Sequence, residues 1–430
     1  MCNNPLLRDV FTTTAWSILG KGIGFAIPFF IAAWFGITSQ TDIFFFAYVV
    51  TIFIAGVFTP VAESIIVPYI AEVRSEGGDV GAFIGNILSV TAIGLAGLTV
   101  LFLLTVKPVL SIAADFDGQS LKMASLLLAE ISPLIVLSVW SSILAGSLNA
   151  YKIFKLPALS PAFRALVNLL FIFLFKNAWG VHAIALGYVA GEIVRIVILL
   201  VFIYKTRVFV ISFPPKLEER VKKFIKTASY QTVGLIALGI NPVVDQAFAS
   251  WLGTGNISIL YYADRLYTIP LTVGISGLSV VLLSEWSKRY YDDKKIGTLY
   301  KDSFNAIKMA GAAALFVTLI SCLFSKPIVY LVYKASGISP DMLEKVRWSF
   351  IYFVIGLAPY LVAAIAINVH QVLKNTKVLM KWSFFSVGAN ILLNFILMRY
   401  MGVGGLAFST TIVCFIGSAY LLRNLYLKKI

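Results

Sequence analysis

Long runs of apolar residues, separated by short polar segments, recur along the whole chain. Most runs exceed about 20 residues, the length that an α-helix needs to cross about 30 Å of hydrocarbon. The pattern therefore predicts about twelve membrane-spanning helices. Their expected ranges are 10–37, 43–70, 82–106, 123–149, 159–176, 181–204, 227–252, 257–287, 303–325, 347–372, 378–399 and 403–423.

The chain also contains an internal repeat. The residues from Gly180 to Gly187 resemble those from Gly402 to Ser409, and the run that begins at Asn168 resembles the run that begins at Asn390 at the same offset. We infer that a bundle of about six helices was duplicated, as is typical of transporters that rock one half against the other.

The fold predicted from the repeat is an all-α polytopic membrane protein. It has two pseudo-symmetric six-helix lobes around a central cavity. The expected boundaries are an N-terminal lobe over 1–204, a cytoplasmic basic amphipathic linker over 205–226 and a C-terminal lobe over 227–430.

Composition agrees with a membrane protein, because 59% of the residues are hydrophobic, only 13% are charged and the mean hydropathy is +0.90. The formal net charge of +15 comes largely from loops. Lys and Arg are concentrated on the side that carries both termini, which the positive-inside rule places in the cytoplasm. We expect a bacterial cytoplasmic (inner) membrane protein whose first apolar run is a span rather than a cleavable signal peptide.

The linker predicts a short helix after Pro214 and Pro215. Leu217, Val221, Phe224 and Ile225 fall on one helical face, with charged residues opposite. Such a helix is expected to lie on the membrane surface. A solvated basic linker is the alternative.

The sequence does not predict a catalytic domain or a metal centre. The three cysteines are scattered and there are only two histidines, which argues against a disulfide framework or a metal site. No Walker-type loop or hydrolase motif is found, so we expect a transporter and not an enzyme. No cofactor is expected; energy would come from a coupling ion (Na⁺ or H⁺), the membrane potential or a substrate gradient.

Charged residues inside the predicted spans are costly and therefore informative. Lys21 lies in the first predicted helix, Asp42 opens the second, and Asp245, Asp264 and Arg265 lie in the seventh and eighth. These are corresponding helices of the two repeats. A cavity with Lys21 and Arg265 facing inward would attract phosphate or pyrophosphate; a structural network of salt bridges is the alternative.

Other charges in the spans have simpler interpretations. Glu192 and Arg195 are three positions apart and are expected to pair. Arg164 is expected to extend to the membrane interface. Glu63 and Glu285 occupy related places in the two repeats and are possible gate residues, although capping of basic loops explains them equally well.

Three segments carry a resemblance to a known family. Residues 245–270, 36–47 and 68–72 resemble the helix 7–8, helix 1–2 and helix 2 signatures of the MviN/MurJ lipid II flippases. The resemblance implies the multidrug/oligosaccharidyl-lipid/polysaccharide exporter fold. It also implies export of an undecaprenyl-pyrophosphate-linked glycan from the inner to the outer leaflet, for peptidoglycan or surface polysaccharide biogenesis.

The same resemblance implies a headgroup site. Arg265 matches a cavity arginine of the family, Asp42 matches its aspartate, and Lys21 stands where the family has arginine. Another family arginine is replaced by Ile27, and an arginine pair falls at Ala55 and Gly56. The chain also has about twelve predicted helices where the family has fourteen.

These departures leave the transported glycan open between lipid II and another polyprenyl-linked oligosaccharide. Two other functions also remain open. One is a cation-coupled drug or metabolite antiporter, with its coupling ion at Asp42 or Asp245. The other is a non-transporting scaffold of an envelope-synthesis complex. The expected partners are a polyprenyl-linked glycan lipid, the bilayer and envelope-synthesis enzymes, without nucleic acid.

Overall fold

The computed structural model describes residues 5–212, 219–272, 286, 296–373 and 375–426, which contain helices and turns but no strand. They form two compact units. The first comprises Met1–Phe35 and Ser39–Gly239, and the second comprises Gly36–Thr38 and Ile240–Ile430. The predicted all-α layout of two lobes fits this division, while the predicted lobe and linker boundaries stay a prediction.

Eight helices build the first unit. They are α1 (Pro5–Phe35), α2 (Ser39–Ser75), α3 (Val80–Ala113), α4 (Gly118–Ile131), α5 (Pro133–Ala150), α6 (Lys155–Trp179), α7 (His182–Thr206) and α8 (Glu219–Gly239). Helix α3 starts with Asp79, whose carboxylate accepts a hydrogen bond from the Ala82 N–H at 3.1 Å. Helix α4 starts in the same way at Asp117, so both helices have side-chain N-caps.

Glycines allow α6 and α7 to pack closely. A Cβ atom at Gly191 would lie 2.5 Å from the carbonyl oxygen of Arg164, and one at Gly187 would lie 2.6 Å from Oδ1 of Asn168. Small residues four positions apart let two helix backbones approach each other within a membrane. Gly20 likewise brings α1 against the backbone of Ala158 in α6.

The amphipathic segment of the predicted linker differs from its prediction, although Ile225 is exposed. Val221 and Phe224 belong to the apolar core of the first unit and are almost fully buried. The Phe224 ring lies 5.5 Å from that of Tyr69 and 6.5 Å from that of Phe83. This face of α8 therefore packs on protein rather than on the membrane surface; Pro214, Pro215 and Leu217 lie outside the described residues.

The second unit contains the remaining helices. They are α9 (Asn241–Ser250), α10 (from residue 256, described as far as residue 272), α11 (Ile296–Leu323), α12 (Ser325–Tyr333), a 3-10 turn (Lys334–Ser336), α13 (Pro340–Ile355), α14 (Leu357–Val372), α15 (Thr376–Met401) and α16 (Val403–Tyr426). Its core includes a tight contact in which the Trp382 ring covers Gly417.

Several predicted spans are interrupted. The fourth breaks at Ser132, because Pro133 starts a new helix at a position where its missing N–H costs nothing. The seventh breaks at Ile240, just before Pro242, and the tenth breaks at Gly356. Among the described residues, nine helical stretches remain long and apolar enough to cross a membrane, and the protein is a multi-pass membrane protein.

Candidate functional site

The predicted headgroup residues are divided between the two units. Lys21 lies in α1 and its side chain is outside what the structure describes. Asp42 lies in the first turn of α2 and is 4% exposed, where the positive end of the helix dipole stabilises a carboxylate. Asp264 and Arg265 lie in α10 of the second unit. That Lys21, Asp42 and Arg265 converge on one cavity stays a prediction.

Arg265 is held by its own helix. Its guanidinium carbon lies 4.6 Å from the centroid of the Tyr261 ring, a cation–π distance. Its Nε atom lies 3.9 Å from Oδ2 of Asp264, at the long end of the range for an ion pair. About a quarter of the Arg265 side chain is accessible (26%). The cation is therefore oriented by a ring and a carboxylate, and part of it can still meet a ligand.

Two buried tyrosines fix the start of α10. Tyr262 donates from its hydroxyl to the carbonyl oxygen of Gly36 at 3.0 Å, and Tyr333 donates to the carbonyl oxygen of Tyr262 at 3.1 Å. The Tyr262 and Tyr333 rings lie 5.1 Å apart. Because these contacts hold the turn before Arg265, they limit where its side chain can reach.

Asp245 has a different environment from the other predicted charges. It is 7% exposed in α9 and accepts hydrogen bonds from Asn390 Nδ2 at 3.0 Å, Asn394 Nδ2 at 2.7 Å and Thr410 Oγ1 at 3.1 Å. All three donors are neutral. Asn394 also donates to Oδ1 of Asn390 at 3.2 Å. The site is thus a buried carboxylate surrounded by side-chain oxygens and amides.

One of those oxygens has no partner. The Oδ1 atom of Asn394 is buried and receives no hydrogen bond from any residue that the structure describes. Hard cations such as Na⁺ bind to oxygen ligands from carboxylates, amides and hydroxyls. Asp245, Asn394, Asn390 and Thr410 offer this donor set, so they fit a small cation.

A charged cluster, which we call the Glu192 cluster, lies inside the first unit. It comprises Arg164, Glu192 and Arg195 with the hydroxyls of Ser141 and Ser160. Arg164 Nη1 donates to Oε2 of Glu192 at 3.0 Å, and Arg195 Nη1 donates to its Oε1 at 3.1 Å. The predicted pair of Glu192 and Arg195 is confirmed.

The prediction for Arg164 is wrong. Its side chain binds Glu192 instead of extending to the interface, because Gly191 brings α6 and α7 close enough for the two side chains to meet. Ser141 donates to Oε1 of Glu192, and Arg195 donates from Nε to Ser160 at 3.0 Å. The opposite charges of Arg164 and Glu192 in neighbouring spans were the signal for this contact.

The two possible gate residues are only partly described. Glu63 is an exposed residue of α2 and is close enough to Arg195 to interact with it electrostatically. Glu285 lies outside the described residues. The gate function of both residues stays a prediction.

Comparison with known proteins identifies a family that shares this helical membrane architecture. The family model described as lipid II flippase MurJ matches residues 31–429. A protein of Buchnera aphidicola subsp. Acyrthosiphon pisum (strain APS), named probable lipid II flippase MurJ, is 26% identical over 437 residues. That alignment covers 99% of this chain and 84% of the relative.

Solved structures share the architecture. A lipid II flippase MurJ in an inward closed conformation has a TM-score of 0.83 at 22% identity, covering 97% of this chain and 87% of that chain. An inward-facing multidrug resistance MATE family transporter of the MOP superfamily has a TM-score of 0.80 at 15% identity, covering 98% and 99%. These likenesses show the fold. Because the family model spans nearly the whole sequence, the chain belongs to the lipid II flippase MurJ family.

Proposed function

We propose that this protein is a flippase that moves lipid II from the inner to the outer leaflet of the bacterial cytoplasmic membrane. The observation that carries this proposal is the match of the lipid II flippase family model to residues 31–429. Such a protein is a transporter and not an enzyme, and its substrate is a lipid-linked molecule within the membrane. The lipid II that it delivers to the outer leaflet is used for peptidoglycan synthesis.

The proposed headgroup site consists of Lys21, Asp42 and Arg265. Arg265 would bind phosphate oxygens through its planar fork, and Lys21 would add a point charge. The partly accessible guanidinium of Arg265, oriented by Tyr261 and Asp264, supports this role. Asp42 would orient the basic side chains. Its negative charge would offset part of their positive charge when the site holds no substrate.

The proposed transport cycle is alternating access. Pro28 in α1 and Pro60 and Pro68 in α2 lie inside helices. Each removes a backbone hydrogen bond and so supplies a point at which a span can bend. We propose Glu63 and Glu285 as gate residues of this cycle.

The proposed coupling ion binds at Asp245. The three neutral donors and the unpartnered Asn394 Oδ1 support a site that takes Na⁺. Bound Na⁺ would supply a positive charge beside the carboxylate and order the side-chain oxygens. Protonation of Asp245 is the alternative form of coupling, and it needs no further ligand oxygen.

We also propose an orientation in the membrane and a set of protein partners. The excess of Lys and Arg in the loops on one side supports cytoplasmic termini. Contacts with envelope-synthesis enzymes would place the flippase next to the enzymes that make and use its lipid. The likeness to a MATE transporter concerns the fold and does not favour export of drugs.

A reconstituted transport assay tests the function directly. The purified protein is placed in liposomes that carry fluorescent lipid II, and an impermeant reagent measures how much lipid reaches the opposite leaflet. Protein-free liposomes and liposomes with another undecaprenyl-diphosphate glycan are the controls. We expect faster exchange of lipid II than of the other glycan. Exchange of only the other glycan, or of neither lipid, would contradict the proposal.

A further inference from the structure

Among the side chains within ion-pair distance of one another, the Glu192 cluster has one more positive than negative charge; Glu63 interacts with Arg195 electrostatically but forms no ion pair with it in the described part of the chain. Arg164 and Arg195 share a single carboxylate, and both oxygens of Glu192 are already engaged. Arginine stays protonated in proteins. A surplus positive charge inside a membrane-spanning unit is costly and marks a functional position by default.

The cluster lies well inside its helices. Helices α6 and α7 have 25 residues each. Arg164 stands roughly two and a half turns after the start of α6, and Glu192 stands roughly three turns after the start of α7. The cluster therefore does not lie at the end of a span, where a cation would reach water easily.

Arg164 points away from the lipid-facing side of α6. Phe163, Leu166 and Leu170 are exposed and form the apolar face of that helix. Ser160 and Asn168, one turn before and one turn after Arg164, are fully buried and share its face because residues four apart align. Even so, 35% of the Arg164 side chain is accessible. Its accessible part therefore does not lie on the exposed apolar face of α6.

The two arginines of the cluster differ in how many hydrogen bonds they make and in how accessible they are. Arg195 donates to Ser141, Ser160 and Glu192 and is only 12% accessible. Within the described residues, Arg164 donates a single hydrogen bond, from Nη1 to Glu192. Its remaining N–H groups form a planar fork that matches the geometry of phosphate oxygens.

A neighbouring amide also lacks partners. Asn168 is 0% exposed, and neither its Nδ2 nor its Oδ1 atom has a hydrogen-bond partner among the described residues. Buried amides are almost always hydrogen-bonded. An unsatisfied amide one turn from Arg164, on the same helix face, indicates a polar occupant at this place.

We propose that Arg164 is the ligand-contacting residue of an anion subsite inside the first unit, which takes a phosphate group of the transported lipid. Glu192 and Arg195 act as positioning residues that hold its guanidinium. This inference rests on the proposed function, because it names a further contact for the same substrate. The shared chemistry is that of a phosphate or diphosphate anion.

A purely structural role for Arg164 predicts a different result. In the Arg164→Gln variant, Glu192 keeps Arg195 and Ser141 as partners, and the surplus charge is gone. An anion subsite therefore predicts unchanged or higher thermal stability together with weaker anion binding. A purely structural role predicts the reverse result, which is lower thermal stability with unchanged anion binding.

The experiment compares the wild type with Arg164→Gln, Arg164→Lys and the control Lys122→Gln. Lys122 is an exposed residue of α4 outside the cluster, and its substitution removes the same charge. Native mass spectrometry measures lipid II binding, and thermal unfolding measures the shift caused by potassium pyrophosphate. We expect Arg164→Gln to weaken lipid II binding about tenfold or more, the loss of one charge-assisted contact. Arg164→Lys should weaken it less, and Lys122→Gln should match the wild type.

The outcomes separate this inference from the proposed function. Equal lipid II binding by the wild type and Arg164→Gln would overturn the subsite and leave the flippase proposal intact. Pyrophosphate stabilisation that depends on Arg164, without any lipid II binding, would support an anion site and contradict the flippase proposal. No response of the wild type to either probe would overturn both.

Discussion

Gly180 and Gly402 adopt almost the same backbone conformation, with φ 54° and ψ −134° at the first and φ 56° and ψ −138° at the second. Each follows a long helix, α6 or α15, and its N–H donates to a carbonyl of the last turn. These bonds reach Lys176 at 3.0 Å and Met398 at 2.9 Å. The two glycines are equivalent in the sequence repeat, so the duplication is preserved in local backbone geometry.

Replacing either glycine by alanine should destabilise the protein. Their conformation is strained for a residue with a Cβ atom, at a cost of about 1–3 kcal/mol. Among the described residues, no atom beyond the glycine and its two chain neighbours lies within 4 Å of a Cβ built at Gly180 or Gly402, so a clash would not be the cause. Thermal unfolding in detergent, followed by tryptophan fluorescence, measures the effect.

Gly388 provides the matched control for this prediction. It lies inside α15, has no positive φ and has open space around its Cβ position. Gly388→Ala should leave stability unchanged or raise it by about 0.5–1 kcal/mol. Equal losses at Gly388 and Gly402 would contradict the backbone explanation.

Removing the carboxylate of the Glu192 cluster should be severe. In Glu192→Leu, Arg164 and Arg195 would face each other without their shared partner. Loss of one member of a buried ion pair costs about 3–5 kcal/mol. The measurement is the midpoint of thermal unfolding. Glu72→Gln, at an exposed position of α2 away from the cluster, should change stability by less than about 0.5 kcal/mol; similar effects of both substitutions would refute the prediction.

Arg265→Ala should abolish transport while the protein still folds. The side chain makes a cation–π contact with Tyr261 and a long ion pair with Asp264. Contacts of these kinds on a partly accessible side chain contribute about 1 kcal/mol or less each, whereas a bound diphosphate would lose its fork-shaped donor. Arg265→Lys should retain partial activity because it keeps the charge.

Growth of flippase-depleted cells that express each variant measures this effect, with membrane levels checked by immunoblot. Lys308→Ala, at an exposed position of α11, removes a positive charge elsewhere and should support normal growth. Full complementation by Arg265→Ala would rule out the proposed headgroup contact.

Sodium should stabilise the wild type through Asp245. At a Na⁺ concentration ten times the Kd, a ligand that binds only the folded state adds about 1.4 kcal/mol. Asp245→Asn removes the negative charge while keeping the size of the side chain, and it should abolish this stabilisation. Thermal unfolding in NaCl and in KCl of equal concentration separates specific binding from an ionic-strength effect. An identical response of both proteins, or of the wild type to both salts, would exclude a sodium site at Asp245.

The sequence predicts the fold well because its signals are local or repeated. Apolar runs locate the spans, and the correspondence of Gly180 with Gly402 reveals the duplication. Pairing of Glu192 with Arg195 also follows from spacing on one helix. Each of these features depends on residues that are close together or identical in the two halves.

Contacts between distant segments could not be predicted in the same way. Asn390, Asn394 and Thr410 surround Asp245 from two other helices, and polar residues of this kind occur throughout the spans. The burial of Val221 and Phe224 depends on the course of α8 across α2 and α3. An amphipathic pattern shows which face is apolar but not whether lipid or protein covers it.

Asn168 and Asn390 occupy equivalent positions of the duplicated sequence, yet their surroundings carry opposite charge. Asn168 lies one turn from the cationic Arg164, and Asn390 donates to the carboxylate of Asp245. One ancestral position has therefore diverged, so that an arginine is the neighbouring charged residue in one copy and an aspartate in the other. A bound phosphate group and a bound Na⁺ would carry charges of opposite sign, so when both ligands cross the membrane in the same direction the electrical work of the membrane voltage on one offsets part of the work on the other.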